Sequence, residues 1–183
     1  MTTLYEAVLG ASLAALPPSL RRFHSDPQGG RARGTLRVLR GRNVIARLLG
    51  WAMGLPPESP GATVVLRVDV LDGVERWLRT FDGHPMVTRQ WAEGPHLVEA
   101  VGPTRVVFRL GVVAGTMRFE PLRVRLLGLP LPRWLAPSVT ASAGPPEGAS
   151  DATAWALSVE VAAPFVGRLV RYEGTMALDP GAP

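Results

Sequence analysis

Arg105-Val-Val-Phe-Arg-Leu-Gly-Val-Val113, followed at once by Thr116-Met-Arg-Phe-Glu-Pro-Leu-Arg-Val-Arg-Leu-Leu127, decides the fold. Charged and apolar side chains alternate with period two, the repeat of an extended strand rather than of a helix. Arg105, Val107 and Arg109 fall on one face, and Val106, Phe108 and Leu110 on the other. Likewise Arg118 and Glu120 oppose Met117 and Phe119, while Arg123 and Arg125 oppose Leu122, Val124 and Leu126. Such a ladder has one apolar face that must find cover.

Outward from this pair the same reading recurs. Strands are predicted over 31–40, 63–71, 75–81, 86–91, 96–101, 138–143, 153–163 and 168–178, in addition to 105–113 and 116–127. Asp72-Gly73, Asp82-Gly83, Glu93-Gly94-Pro95 and Gly102-Pro103 supply turns between the earlier members. Parallel pairing needs long crossovers, which are absent after Pro60, so the strands form an antiparallel meander. A sheet of this many strands curls. The fold class is therefore mainly β: a curled antiparallel sheet forming a barrel or half-barrel.

Two short helices precede most of the sheet. Thr3 and Glu6 have capping-box spacing, and Leu4, Val8, Leu9, Leu13 and Leu16 recur at helical intervals until Pro17 and Pro18. A turn or helical piece from Ser19 to His24 and a loop through Asp26, Pro27, Gly29 and Gly30 follow. The second helix is predicted over 43–53 on Val44, Leu48, Leu49, Trp51 and Ala52, closed by Gly54, Pro56 and Pro57. Gly144 to Ser150 reads as a loop. Residues 1–178 are expected to form one domain and 179–183 a flexible tail.

Composition excludes several chemistries. With no cysteine, the chain has no disulfide framework, thiolate metal site, iron–sulfur cluster or Cys nucleophile. All twenty basic residues are Arg, yet the net charge is only +5. The pI near 11.1 reflects the scarcity of groups that lose a proton below the guanidinium range. A preference for Arg over Lys is also the signature of a GC-rich genome. Glu6 within the first apolar stretch and the lack of basic residues before it argue against a secretory leader, so a cytoplasmic location is expected. No apolar run has the length of a membrane span.

Leu126-Leu-Gly-Leu-Pro-Leu-Pro-Arg-Trp-Leu-Ala-Pro137 is distinctive. Together with Leu16-Pro-Pro-Ser-Leu-Arg-Arg-Phe-His24, Glu75-Arg-Trp-Leu-Arg-Thr-Phe81 and Arg168-Leu-Val-Arg-Tyr-Glu-Gly174, it resembles the bacterial family known as domain of unknown function 4166. The resemblance spans nearly the whole chain. It implies an accessory role, since such domains also occur fused behind Rossmann-type oxidoreductase domains of the saccharopine-dehydrogenase kind. It implies no catalytic residues. The chain has no Gly-rich dinucleotide fingerprint of its own, and no cofactor is expected.

His24, His84 and His96 sit in or beside turns without metal-ligand spacing, so surface-turn roles and no metal site are expected. Phe23-His24-Ser25-Asp26 joins an imidazole, a hydroxyl and a carboxylate, but triad members come from distant segments. Asp26 or Ser25 is assigned to local turn hydrogen bonding. Glu99, Glu120, Glu160 and Glu173 are assigned to cross-strand ion pairs with Arg.

The Arg stripes set the functional alternatives. Facing water, they are the ordinary polar side of a half-buried sheet. Facing inward, Arg105, Arg109, Arg123, Arg125 and Arg171 would hold an anionic head by bidentate hydrogen bonds, each inward Arg needing a Glu or a ligand. Trp77 is a candidate pocket residue. Trp134, on the proline-stiffened loop from Leu129 to Pro137, is expected to fold over a barrel end as a lid, or, if exposed, to dock a membrane or partner protein. Aromatic content of 7% disfavours nucleic acid.

The leading expectation is a non-catalytic binding module for a hydrophobic or amphipathic, anionic small molecule. The alternative is an accessory module that docks an oxidoreductase domain, with a small-molecule isomerase or hydrolase third. Whether the chain catalyses anything, and its oligomeric state, are left open.

Overall fold

A computed structural model describes residues 2–146 and 153–179. The loop expected over 144–150 lies, from residue 147, outside the described residues, as does the expected tail after Asp179. Asp179 itself is anchored: its amide donates to the Arg31 carbonyl and its carboxylate meets Arg33 at 2.8 Å.

The strands are β1 (Arg31–Arg40), β2 (Ser59–Leu71), β3 (Val74–Phe81), β4 (His84–Glu93), β5 (His96–Val101), β6 (Thr104–Val113), β7 (Thr116–Leu126), β8 (Leu129–Pro130), β9 (Ser138–Gly144), β10 (Ala154–Ala163) and β11 (Gly167–Leu178). Each pairs antiparallel with its neighbours, and β1 joins β11, so ten strands close a complete barrel. The two-residue β8 pairs only with β7, outside the ring. Closure is full rather than partial. It removes the exposed edges that a half-barrel would leave.

Tight hairpins drive the meander. Asp72-Gly73, Asp82-Gly83 and Ala114-Gly115 hold both residues at positive φ, the geometry whose twist matches antiparallel strands. In β7 a bulge at Pro121 and Leu122 sets Phe108 opposite Pro121 but Val107 opposite Arg123. The extra residue shifts the alternation, so Arg118 and Glu120 before it and Arg123 and Arg125 after it all stay outside.

Gly34 weakens β1 on propensity but is required by packing. A Cβ there would lie 2.1 Å from the Thr175 carbonyl oxygen, where β1 and β11 press together at the seam.

Among the described residues three α-helices form, one more than expected. The predicted opening helix is divided into α1 (Leu4–Leu9), with its capping box in place, and a 3-10 turn over Gly10–Ala15. The piece after Pro17 becomes α2 (Pro18–His24), and the helix after Asn43 becomes α3 (Val44–Ala52). α1 and α2 cap one barrel end, sending Tyr5, Leu20, Phe23 and His24 into the core. α3 lies at the opposite, far end. There Asn43 Nδ2 donates to the Val166 carbonyl at 2.6 Å and Leu127 N donates to the Pro103 carbonyl at 2.9 Å.

Candidate functional site

The barrel lumen is lined by residues that alternate inward on every strand, and its two walls differ. On one wall, Met117 and Phe119 of β7, Ala143 and Ala141 of β9, and Leu157 and Val159 of β10 form cross-strand rows that reach Gly174 and Tyr172 of β11. Ala141 and Ala143 are small where a closed barrel needs bulk. The lumen beside them is consequently not filled by side chains, and a cavity of about 90 Å³ remains.

The other wall is polar. Glu75 of β3, Gln90 of β4 and Glu99 of β5 stand in one cross-strand row. Tyr5, carried in by α1, donates its hydroxyl to Gln90 Oε1 at 2.8 Å. Arg79, two positions beyond Trp77 on the same inward face, donates to Thr88 Oγ1 at 3.0 Å. Its guanidinium lies 3.7 Å from Glu99 and 4.9 Å from the centre of the Trp77 ring. This is the inward Arg with a Glu partner that burial of a guanidinium demands.

Desolvation sets the ionisation of this wall. Burial pushes the Glu75 carboxyl up to about 7, opposed by the hydrogen bond from Trp77 Nε1 at 2.8 Å. Burial also raises the Tyr172 phenol, with Arg79 opposing the shift and Glu99 adding to it. That hydroxyl makes no hydrogen bond among the described residues, although it belongs to the cavity lining. Glu99 and Arg79 therefore form an ion pair within electrostatic reach of Tyr172, beside an aromatic and aliphatic wall.

His24 corrects the expectation of a surface turn. It ends α2 inside the barrel, 6% exposed, with its ring centre 3.7 Å from that of Tyr5 and 5.9 Å from that of Trp77. Burial lowers its pKa to about 3, so it stands neutral among aromatic rings. Asp26 meanwhile accepts the Gln28 amide at 2.9 Å, the local turn role expected of it. No triad forms. His84 Nε2 lies 3.4 Å from the Gly54 carbonyl, and His96 keeps a buried Nδ1 without a partner. Among the described residues no cluster of His, Asp and Glu has metal-ligand geometry.

The inward placement considered for the Arg stripes is also corrected. Arg105, Arg109, Arg123 and Arg125 are exposed on the outer face, because the apolar residues between them supply the core. Arg109 pairs with Glu120 at 3.3 Å, and the half-buried Arg171 with Glu173 at 2.6 Å and Glu160 at 3.7 Å. Glu120 and Glu160 thus have the cross-strand ion-pair roles expected of them, whereas Glu173 pairs with Arg171 two positions back on its own strand. Of the ligand-binding candidates named from sequence, Trp77 lines the cavity, joined there by His24 and Glu99, to which the sequence alone assigns other roles. Trp134 is exposed and covers no barrel end. Glu99, assigned to an ion pair with Arg, has one with Arg79; the cavity residues missed were Tyr5, Arg79, Gln90 and Tyr172. Their one signal was Glu75-Arg-Trp-Leu-Arg-Thr-Phe81, where Arg79 falls in phase with Trp77 and Phe81.

A family model described as Domain of unknown function (DUF4166) matches residues 16–176, in agreement with the resemblance read from the motifs. Among solved structures, the chain is similar to a protein of unknown function from the DUF3598 family of Nostoc punctiforme. The two share 12% identity with a TM-score of 0.50. The alignment covers 82% of this chain and 47% of that one, so the chain spans about half its length, and the likeness is one of fold. No curated protein matches.

Proposed function

The chain belongs to the DUF4166 family, and we propose that its barrel is a non-catalytic binding module for a small amphipathic molecule. The apolar body of the ligand lies against Phe119, Val139, Leu157 and Val159. Its acceptor group, a carboxylate in the favoured case, meets the Arg79 guanidinium and the Tyr172 hydroxyl. The observation that carries this reading is the cavity beside Ala141 and Ala143, with a free phenol and an arginine at its side. Ligand pockets combine such apolar walls with a few convergent polar groups. At about 90 Å³ the cavity admits a slim chain or a compact head rather than a bulky ring system.

Titration with butyrate, followed by the fluorescence of Trp77 and Trp155, tests the proposal. Wild type should give a saturable change, and Ala141→Leu, which fills the cavity, should abolish it while leaving the far-ultraviolet circular dichroism intact. An unchanged titration in Ala141→Leu, or no response in wild type, overturns it. Native mass spectrometry of the purified protein, with organic extraction of any bound mass, would identify the natural ligand.

A further inference from the structure

We propose that the far end of the barrel is a docking face for an anionic lipid bilayer. Up-and-down topology sends five connections to that end, the tight turns 82–83 and 102–103 and three others: the segment holding α3, the 127–137 connection and the 164–166 turn. All three expose large apolar side chains. Trp51 is 79% exposed, Trp134 67% and Phe165 91%, with Val44, Ile45, Leu48, Leu127 and Leu129 beside them. Of the sixteen exposed large hydrophobic residues among those described, eleven lie here or at the adjoining end of β7. Scattered surface apolars are ordinary, but concentration at one end marks an interaction surface.

α3 is built for this exposure. It buries only Ala46 and Gly50 against the barrel. Both are small because the helix sits tight on β1: a Cβ on Gly50 would strike the Arg40 guanidinium, and one on Gly41 would strike Ala46. The apolar residues that signalled a helix in the sequence thus face solvent. The helix lies across the barrel end with its apolar side outward.

The charge pattern selects the partner. Exposed Arg42, Arg47 and Arg133 border the apolar residues. Just below, Arg105 and Arg125 are direct cross-strand partners, a like-charge pair that phosphate would relieve. Arg123, Arg125 and Arg133 line one outer groove together with Glu120, whose carboxylate is paired with Arg109. The acidic groups facing this end are Glu58, Asp82 and Glu160, the last held by Arg168 and Arg171. Acidic Asp26, Asp72 and Glu93 lie on turns at the opposite, helix-capped end. An apolar helix side with aromatic tips and bordering guanidiniums fits the lipid interface, where aromatic rings enter the headgroup level and Arg meets phosphate.

Co-sedimentation with vesicles of equimolar phosphatidylcholine and phosphatidylglycerol, against phosphatidylcholine alone, tests this. Wild type should pellet with the mixed vesicles, and less so as salt rises. Arg42→Gln with Arg47→Gln should weaken partitioning roughly 30-fold, and Trp51→Ser with Trp134→Ser should abolish it. Leu71→Ser, an exposed apolar residue at the capped end, should bind like wild type. Ala141→Leu should also bind, so failure here is distinct from failure of the lumen reading. Wild type remaining in the supernatant would overturn the proposal and assign these residues to a protein interface. Equal loss in Leu71→Ser would overturn it too.

Discussion

Trp77 donates its indole N–H to the carboxyl of Glu75, two residues back on the same strand, at 2.8 Å. The pair turns one face of β3 into a polar step inside an apolar barrel. Because the His24 ring centre lies 5.9 Å from that of the same indole, two titratable groups shifted by burial share one aromatic neighbour. Their shifts act on stability in opposite senses.

Glu75, at about 7 in the fold against an ordinary 4.5, keeps a proton that the unfolded chain releases, so its contribution falls as pH rises through that window. His24, at about 3 against 6.5, stays neutral where the unfolded chain takes up a proton. Its contribution is therefore full above about 6.5 and lost as pH falls toward 3. Between about 4.5 and 6.5 the two offset each other, and wild type should have a flat stability profile. Glu75→Gln should replace the plateau with stability rising with pH, by roughly 3 kcal/mol across the window. Urea unfolding at stepped pH checks this, and superimposable profiles for the two proteins would refute it.

Tyr5→Phe removes the hydroxyl that satisfies Gln90 Oε1 in the interior. The expected loss is about 1–3 kcal/mol, the usual cost of an orphaned buried polar group. A companion Gln90→Leu change should recover part of the loss in the double variant. A double-mutant cycle by chemical denaturation measures the coupling, and additive losses would show that the bond contributes nothing.

Arg79→Met should separate acids from alcohols. Loss of a charge-assisted hydrogen bond should weaken butyrate binding about tenfold or more, while butanol binding stays within about twofold of wild type. Equal weakening of both ligands would mean that Arg79 only supports the wall.

The outer stripe provides the contrast. Arg109→Ala breaks only the exposed pair with Glu120, so its cost should be about 0–1 kcal/mol. Butyrate affinity should not change. A clear loss of affinity would place the ligand outside the barrel and contradict the lumen site.

The strands were legible because their period and turn chemistry are local. Every predicted strand formed within a few residues of its expected bounds, and Asp72-Gly73 and Asp82-Gly83 turned where they should. The site was less legible. Alternation separates two faces without saying which is inside, and the most visible stripes, at Arg105, Arg109, Arg123 and Arg125, are visible because they face water. Arg79 was obscured by its neighbours Arg76 and Trp77 in a strand that carries charge on both faces. His24 was misjudged because its burial comes from rings brought by α1 and β3, far away in the chain. The exposed side of α3 has a related cause: apolar periodicity announces a helix, while the small residues Ala46 and Gly50 decide which side packs.

At the seam, β1 meets β11, and Arg33 reaches Asp179 across 146 positions of chain. Hairpins and short connections supply most other junctions of the ring, so those can assemble early. This junction must wait until both ends of the meander meet, because long-range closure carries the largest entropic cost. The barrel is therefore expected to fold slowly for its size, with seam formation as the limiting event. Substitutions at Gly34 should then act mainly on the rate of folding.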